Sequence, residues 1–87
     1  MPRYSLVIAR RFRQDLRRLD TQMHRRVLEA LERLQEDPFQ GQRLTNVAIG
    51  QWRIRVGDYR VVYTIRDEVL LVLVVRVAHR KDAYRGH

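Results

Sequence analysis

Three arginines, Arg53, Arg55 and Arg60, surround a "GD" dipeptide in the stretch "WRIRVGDYRVVY". Each is flanked by residues that belong in a core. Guanidinium groups bind phosphate or carboxylate through paired, charge-assisted hydrogen bonds, so such a cluster can act as an anion site. It can equally cover a wet sheet face, with alkyl stems packed down and heads in solvent. A strand pair with Gly57-Asp58 as a two-residue turn decides which residues share a face. Counting outward, Val56 opposes Tyr59, Arg55 opposes Arg60, Ile54 opposes Val61, and Arg53 opposes Val62. Trp52, Ile54, Val56, Tyr59, Val61 and Tyr63 then form the core side, and the arginines take the other; a slip of one residue would bury them. Two unit charges about 5 Å apart repel by roughly 3 kcal/mol at an effective dielectric of 20. The fold gains nothing from that repulsion, and a bound phosphate would reverse its sign.

Further polar groups follow the last apolar run. Arg80 and Tyr84 lie four apart, with His79 and Lys81 flanking the arginine. If this tail folds back over the arginine face, it adds a guanidinium, a phenol and an imidazole to the same anion. Taken singly, each reads as an ordinary surface group.

The elements that must hold these residues are legible from period. "RYSLVIA", residues 3–9, suits a first strand. Ala9, Phe12, Leu16 and Leu19 form one apolar helical stripe, and Met23, Val27, Leu31 and Leu34 form a second, with Asp20 or Thr21 as its cap. Arg25, Glu29 and Arg33 are spaced for i,i+4 pairs on its exposed side. "EDPFQGQ" ends that helix through Pro38 and Gly41. Beyond Leu44 the period becomes 2 through "QWRIRV" and "YRVVYTI". "VLLVLVVRVA", apolar on both faces, reads as an interior strand. The expected fold is α+β: a small antiparallel sheet in the order β-α-α-β-β-β, with two N-terminal helices on one face, and residues 1–87 forming a single domain.

Composition narrows the class. The chain has 87 residues, no cysteine and a formal charge of +8, and of its 18 basic residues only Lys81 is a lysine. Disulfide scaffolds and thiolate metal centres are excluded, and a polyanionic partner is favoured. The apolar run from Val69 to Val75 falls far short of the roughly 20 residues of a membrane helix. The expectation is a soluble cytoplasmic protein with no membrane association. No Gly-rich phosphate loop, nucleotide fingerprint or metal-ligand cluster is present, so no cofactor is expected.

The markers "WRIR-x-GDYR-x-x-Y", an apolar strand and "HR-x-D-x-Y", in that order, resemble the RelE/ParE superfamily of toxins from bacterial type II toxin–antitoxin systems, on the RelE side. The likeness extends more weakly over the helices and "DPFQGQRL". It implies a RelE-like fold related to microbial ribonucleases, and cleavage of messenger RNA in the ribosomal A site. It also implies catalytic positions at Arg60, Arg80, Tyr84 and Arg55, with substrate binding by Arg53, Arg55, Arg60, His79 and Lys81 and no metal. Some members carry lysines where this chain has Arg53 and Arg55. Arginine does not lose its proton, so here those two serve electrostatically, not as a base. Tyr84 is then the candidate acid for the leaving oxygen or, less simply, a base, with His79 and Lys81 the other nearby candidates. The resemblance implies a cognate antitoxin as partner, besides ribosome and message, with operator DNA bound only by the toxin–antitoxin complex. Arg10, Arg11, Arg13, Arg17, Arg18, Arg25 and Arg26 on the helices form either a solvated face or a seat for an acidic antitoxin segment. Two other functions suit the same residues: a ParE-like inhibitor of DNA gyrase, and a non-catalytic basic module binding RNA or a partner.

Overall fold

The computed structural model describes residues 3–45 and 51–81. Strand β1 (Ser5–Ile8) leads into helices α1 (Arg10–Leu16) and α2 (Thr21–Glu36), followed by a single 3-10 turn at Pro38–Gln40. Strands β2 (Gln42–Arg43), β3 (Trp52–Val56), β4 (Tyr59–Arg66) and β5 (Leu71–His79) complete a five-stranded sheet in the order β1-β5-β4-β3-β2. Among the described residues no helix is long and apolar enough to cross a membrane.

Helix α2 starts where expected. The Asp20 carboxylate accepts the Met23 amide at 2.8 Å, satisfying an N–H that the first turn leaves without a partner. Its inward stripe of Val27, Ala30, Leu31 and Leu34 joins Phe12 of α1 against Val56, Val61, Tyr63, Val72, Val74 and Val77 of the sheet. Both helices therefore share one core on one sheet face, and among the described residues no helix covers the other face.

The sheet is mixed, where the sequence suggests a wholly antiparallel one. β1 runs parallel to β5, with Ser5 opposite Leu71 and Ile8 opposite Val74. A parallel pair needs a long crossover, here the whole chain between the two strands. β5 gains a neighbour on each edge, as its apolar residues on both faces require. The two-residue β2 also extends the meander beyond its expected strands.

Where β1 ends, the β5 edge would expose unpaired backbone groups, and α1 covers it. The Ala9 amide donates to the Val74 carbonyl at 2.9 Å, and Asp15 accepts the Val77 amide at 3.1 Å. Asp15, only 6% exposed, also accepts Arg76 Nε at 2.8 Å, so one carboxylate serves a strand edge and a cation together.

The β3–β4 register follows the counting argument residue for residue: Val56 opposes Tyr59, Arg55 opposes Arg60, and Trp52 opposes Tyr63. Gly57 in the turn has φ +61°, the left-handed region that glycine enters at no steric cost. The β4–β5 ladder is less regular. Val62 faces Arg76 whereas Tyr63 faces Val74, which leaves Val75 as the extra residue of a bulge.

Candidate active site

The bulge decides which groups reach the arginine face. Strict alternation from Val74 would turn residues 76, 78 and 80 toward the core. One extra residue reverses the parity, so Val77 points inward and Ala78 lies opposite Arg60 on the other face. Arg80 inherits that face, and His79 is turned to the helix side, opposite Tyr59. There its ring meets Tyr59 edge-on, with centroids 5.6 Å apart, in a recess also lined by Asp15, Arg18 and Arg76. His79, expected from the sequence beside the substrate, thus lies across the sheet from the arginine cluster.

Arg80 is held in place by its backbone. Its amide donates to the Asp58 carbonyl at 2.8 Å, tying the end of β5 to the β3–β4 turn. The result is a small cleft of about 40 Å³ lined by Arg55, Gly57, Asp58, Tyr59, Arg60 and Arg80. Three guanidinium-bearing residues from three separate chain positions meet there. The space suits one phosphoryl group. Asp58, read from the sequence only as a turn residue, is the carboxylate among these lining residues, and nothing in its turn role distinguishes it as a site group beforehand.

Arg53 sits elsewhere. It lines a neighbouring recess of about 300 Å³ with Arg33, Gln40, Gly41, Gln42, Ile54 and Arg55. The cluster expected as one site is therefore two adjoining depressions that share Arg55. Arg53 is half-buried, its terminal nitrogen donating to Gln42 Oε1 at 2.6 Å across the β2–β3 ladder. Arg33, expected in i,i+4 pairs on α2, makes no ion pair among the described residues and turns to this recess instead. Lys81 is exposed and absent from both linings; its amide donates to His79 Nδ1 at 3.3 Å. Tyr84 lies outside the described residues.

Gly41, in the lining of the larger recess, packs against a buried phenol. Tyr63 donates to the Pro38 carbonyl at 2.7 Å, pinning the turn after α2 to the centre of the sheet. Burial pushes its pKa up to about 12, the neighbouring Asp37 adding to the rise and a backbone contact at Gly41 opposing it. Gly41 packs so closely that a Cβ there would stand 2.2 Å from the Tyr63 hydroxyl and 2.5 Å from the Arg53 carbonyl.

Comparison with known proteins bears on the fold and the family. The family described as "ParE toxin of type II toxin-antitoxin system, parDE" matches residues 6–84. Toxin RelG of Mycobacterium tuberculosis is 34% identical over 84 residues, covering 94% of this chain and 97% of that protein. The crystal structure of the toxin–antitoxin complex RelBE2 from the same organism contains a chain 32% identical to this one. It superposes with a TM-score of 0.80, over 90% of this chain and 99% of that one. A chain of the archaeal RelE–RelB complex from Pyrococcus horikoshii shares the fold at a TM-score of 0.78 and 24% identity, over 99% of this chain and 100% of that one. The chain belongs to the RelE/ParE superfamily of type II toxin–antitoxin toxins.

Proposed function

We propose that this toxin is an endoribonuclease that cuts messenger RNA in the ribosomal A site and so halts translation. The observation that carries the reading is the convergence of Arg55, Arg60 and Arg80 on one cleft of phosphoryl size. In the proposed reaction the ribose 2′-oxygen attacks the adjacent phosphorus, the bond from phosphorus to the 5′-oxygen breaks, and a 2′,3′-cyclic phosphate forms. The 2′-hydroxyl proton passes to solvent water, and the departing 5′-oxygen must gain one. Charge grows on the phosphoryl oxygens between these events, and fixed cations aimed there stabilise it. Arg55, Arg60 and Arg80 take that part, and Tyr84 supplies the proton to the leaving oxygen. None of the three arginines can serve as the base, so positioning by the ribosome carries much of the rate.

The cognate partner in this reading is an antitoxin, as the relative in the RelBE2 complex has. The exposed arginines of the helical layer, Arg10, Arg11, Arg13, Arg17, Arg18, Arg25 and Arg26, offer it an acidic-segment seat.

The name of the matching family favours a second reading, a ParE-like inhibitor of DNA gyrase. Mapping cut sites on a translated message with purified wild type and Arg80→Ala separates the two. Codon-phased cuts with wild type alone support the nuclease. An intact message together with arrested gyrase on DNA supports the alternative.

A further inference from the structure

We infer that the recess beside the small cleft is a second phosphate seat, which holds a flanking phosphate of the RNA strand whose scissile phosphate occupies the cleft, and that Arg33 of α2 belongs to it. This rests on the nucleolytic reading above and extends it to a residue outside the cluster around the β3–β4 turn.

Four observations carry it. The recess presents Arg33, Arg53 and Arg55 with two glutamines and no carboxylate, so its lining is cationic without an internal counter-ion. It adjoins the cleft through Arg55, which lines both. Arg53 and Arg55 are alternate residues of one strand on one face, about 6.6 Å apart by strand rise. That separation suits successive phosphates of an extended single strand. The Arg53 guanidinium is held in place, its terminal nitrogen donating to Gln42 Oε1 at 2.6 Å, so the cation is fixed before a ligand arrives.

The end of α2 is also prepared for an anion. Helix C-terminal carbonyls repel negative charge. Here the Arg33 carbonyl accepts both the Asp37 amide at 3.0 Å and the Gln40 side-chain amide at 3.0 Å, and Gln40 also donates to the Asp37 carbonyl at 2.8 Å. The Arg33 and Asp37 carbonyls are thus occupied, while the exposed Arg33 side chain lines the recess.

The test uses 2′-O-methyl oligoribonucleotides, which cannot be cut: a dinucleotide with one phosphate and a tetranucleotide with three, neither carrying terminal phosphates. Binding is followed by NMR through arginine Nε–H resonances, in wild type, Arg33→Ala and Arg80→Ala, at several salt concentrations. Arg33→Ala is expected to weaken the tetranucleotide roughly tenfold and to lower its salt slope by about 0.7, the increment for one phosphate on a single strand. It should leave the dinucleotide unchanged, and Arg80→Ala should weaken both. Equal tetranucleotide binding by Arg33→Ala and wild type, with Arg80→Ala weakened, overturns the second seat and leaves the nuclease reading intact. Equal weakening of both ligands by Arg33→Ala also overturns it, since the recess would not be a separate seat. If Arg33→Ala alters only the binding of a polyglutamate peptide, the recess takes carboxylates and the inference fails. No effect of Arg80→Ala on either RNA overturns the assignment of the cleft itself.

Discussion

At the scale of single residues, charge placement governs both the cleft and the strand edge beside it. Arg55 and Arg60 sit directly opposite on neighbouring strands, so two guanidinium groups line one cleft. Replacing Arg60 by Ala should leave the protein folded. Cleavage should fall by about 10²- to 10³-fold, the usual cost of removing one preorganised electrostatic donor. Melting and cut-site assays on the same preparation check both halves. Asp15 is the opposite case. It serves the Val77 amide and Arg76 from a buried position, so Asp15→Ala leaves a cation and a strand-edge donor without partners. A loss of about 3 kcal/mol is expected in denaturant unfolding.

At the scale of elements, the short segment after α2 controls the larger recess through Tyr63 and Gly41. Tyr63 holds its proton up to a pH of about 12, against an ordinary value near 10. The unfolded chain loses that proton first, so stability is level below about pH 10 and falls as pH rises toward 12. The decline is up to roughly 1.4 kcal/mol per pH unit. Tyr63→Phe should remove this contribution to alkaline sensitivity while costing about 1–2 kcal/mol at neutral pH through the unmet Pro38 carbonyl. Urea titrations at pH 8 and 11 compare the two proteins. Gly41→Ala should cost about 3 kcal/mol, because its Cβ would meet the Tyr63 hydroxyl and the Arg53 backbone together.

At the scale of the whole molecule, the sheet divides labour between a face packed by both helices and an opposite face carrying the cationic cleft. Much of this was legible in the sequence, for reasons that differ by element. The β3–β4 register followed from alternation plus a two-residue turn, both local signals. The Asp20 cap and the apolar stripe of α2 were equally local. The parallel β1–β5 pair was not, because nothing in either strand specifies a partner more than 60 residues away. The side of the sheet taken by His79 depends on the bulge at Val75, and a single unpaired valine inside an apolar run leaves no mark in the hydrophobic pattern. The split of one expected site into two recesses likewise depends on how Gln42 and the end of α2 sit against β3, which no spacing encodes.

The whole-molecule claim is that the cleft grips a message phosphate while that message's own 2′-hydroxyl breaks the strand. The most direct measurement places two messages in otherwise identical ribosome complexes, one all-ribose and one with a single 2′-deoxy nucleotide before the scissile phosphate in the A site. Wild type should cut the first, leaving a 2′,3′-cyclic phosphate, and spare the second at that position, with Arg80→Ala cutting neither. Equal cutting of both messages, or an intact all-ribose message, would contradict that claim.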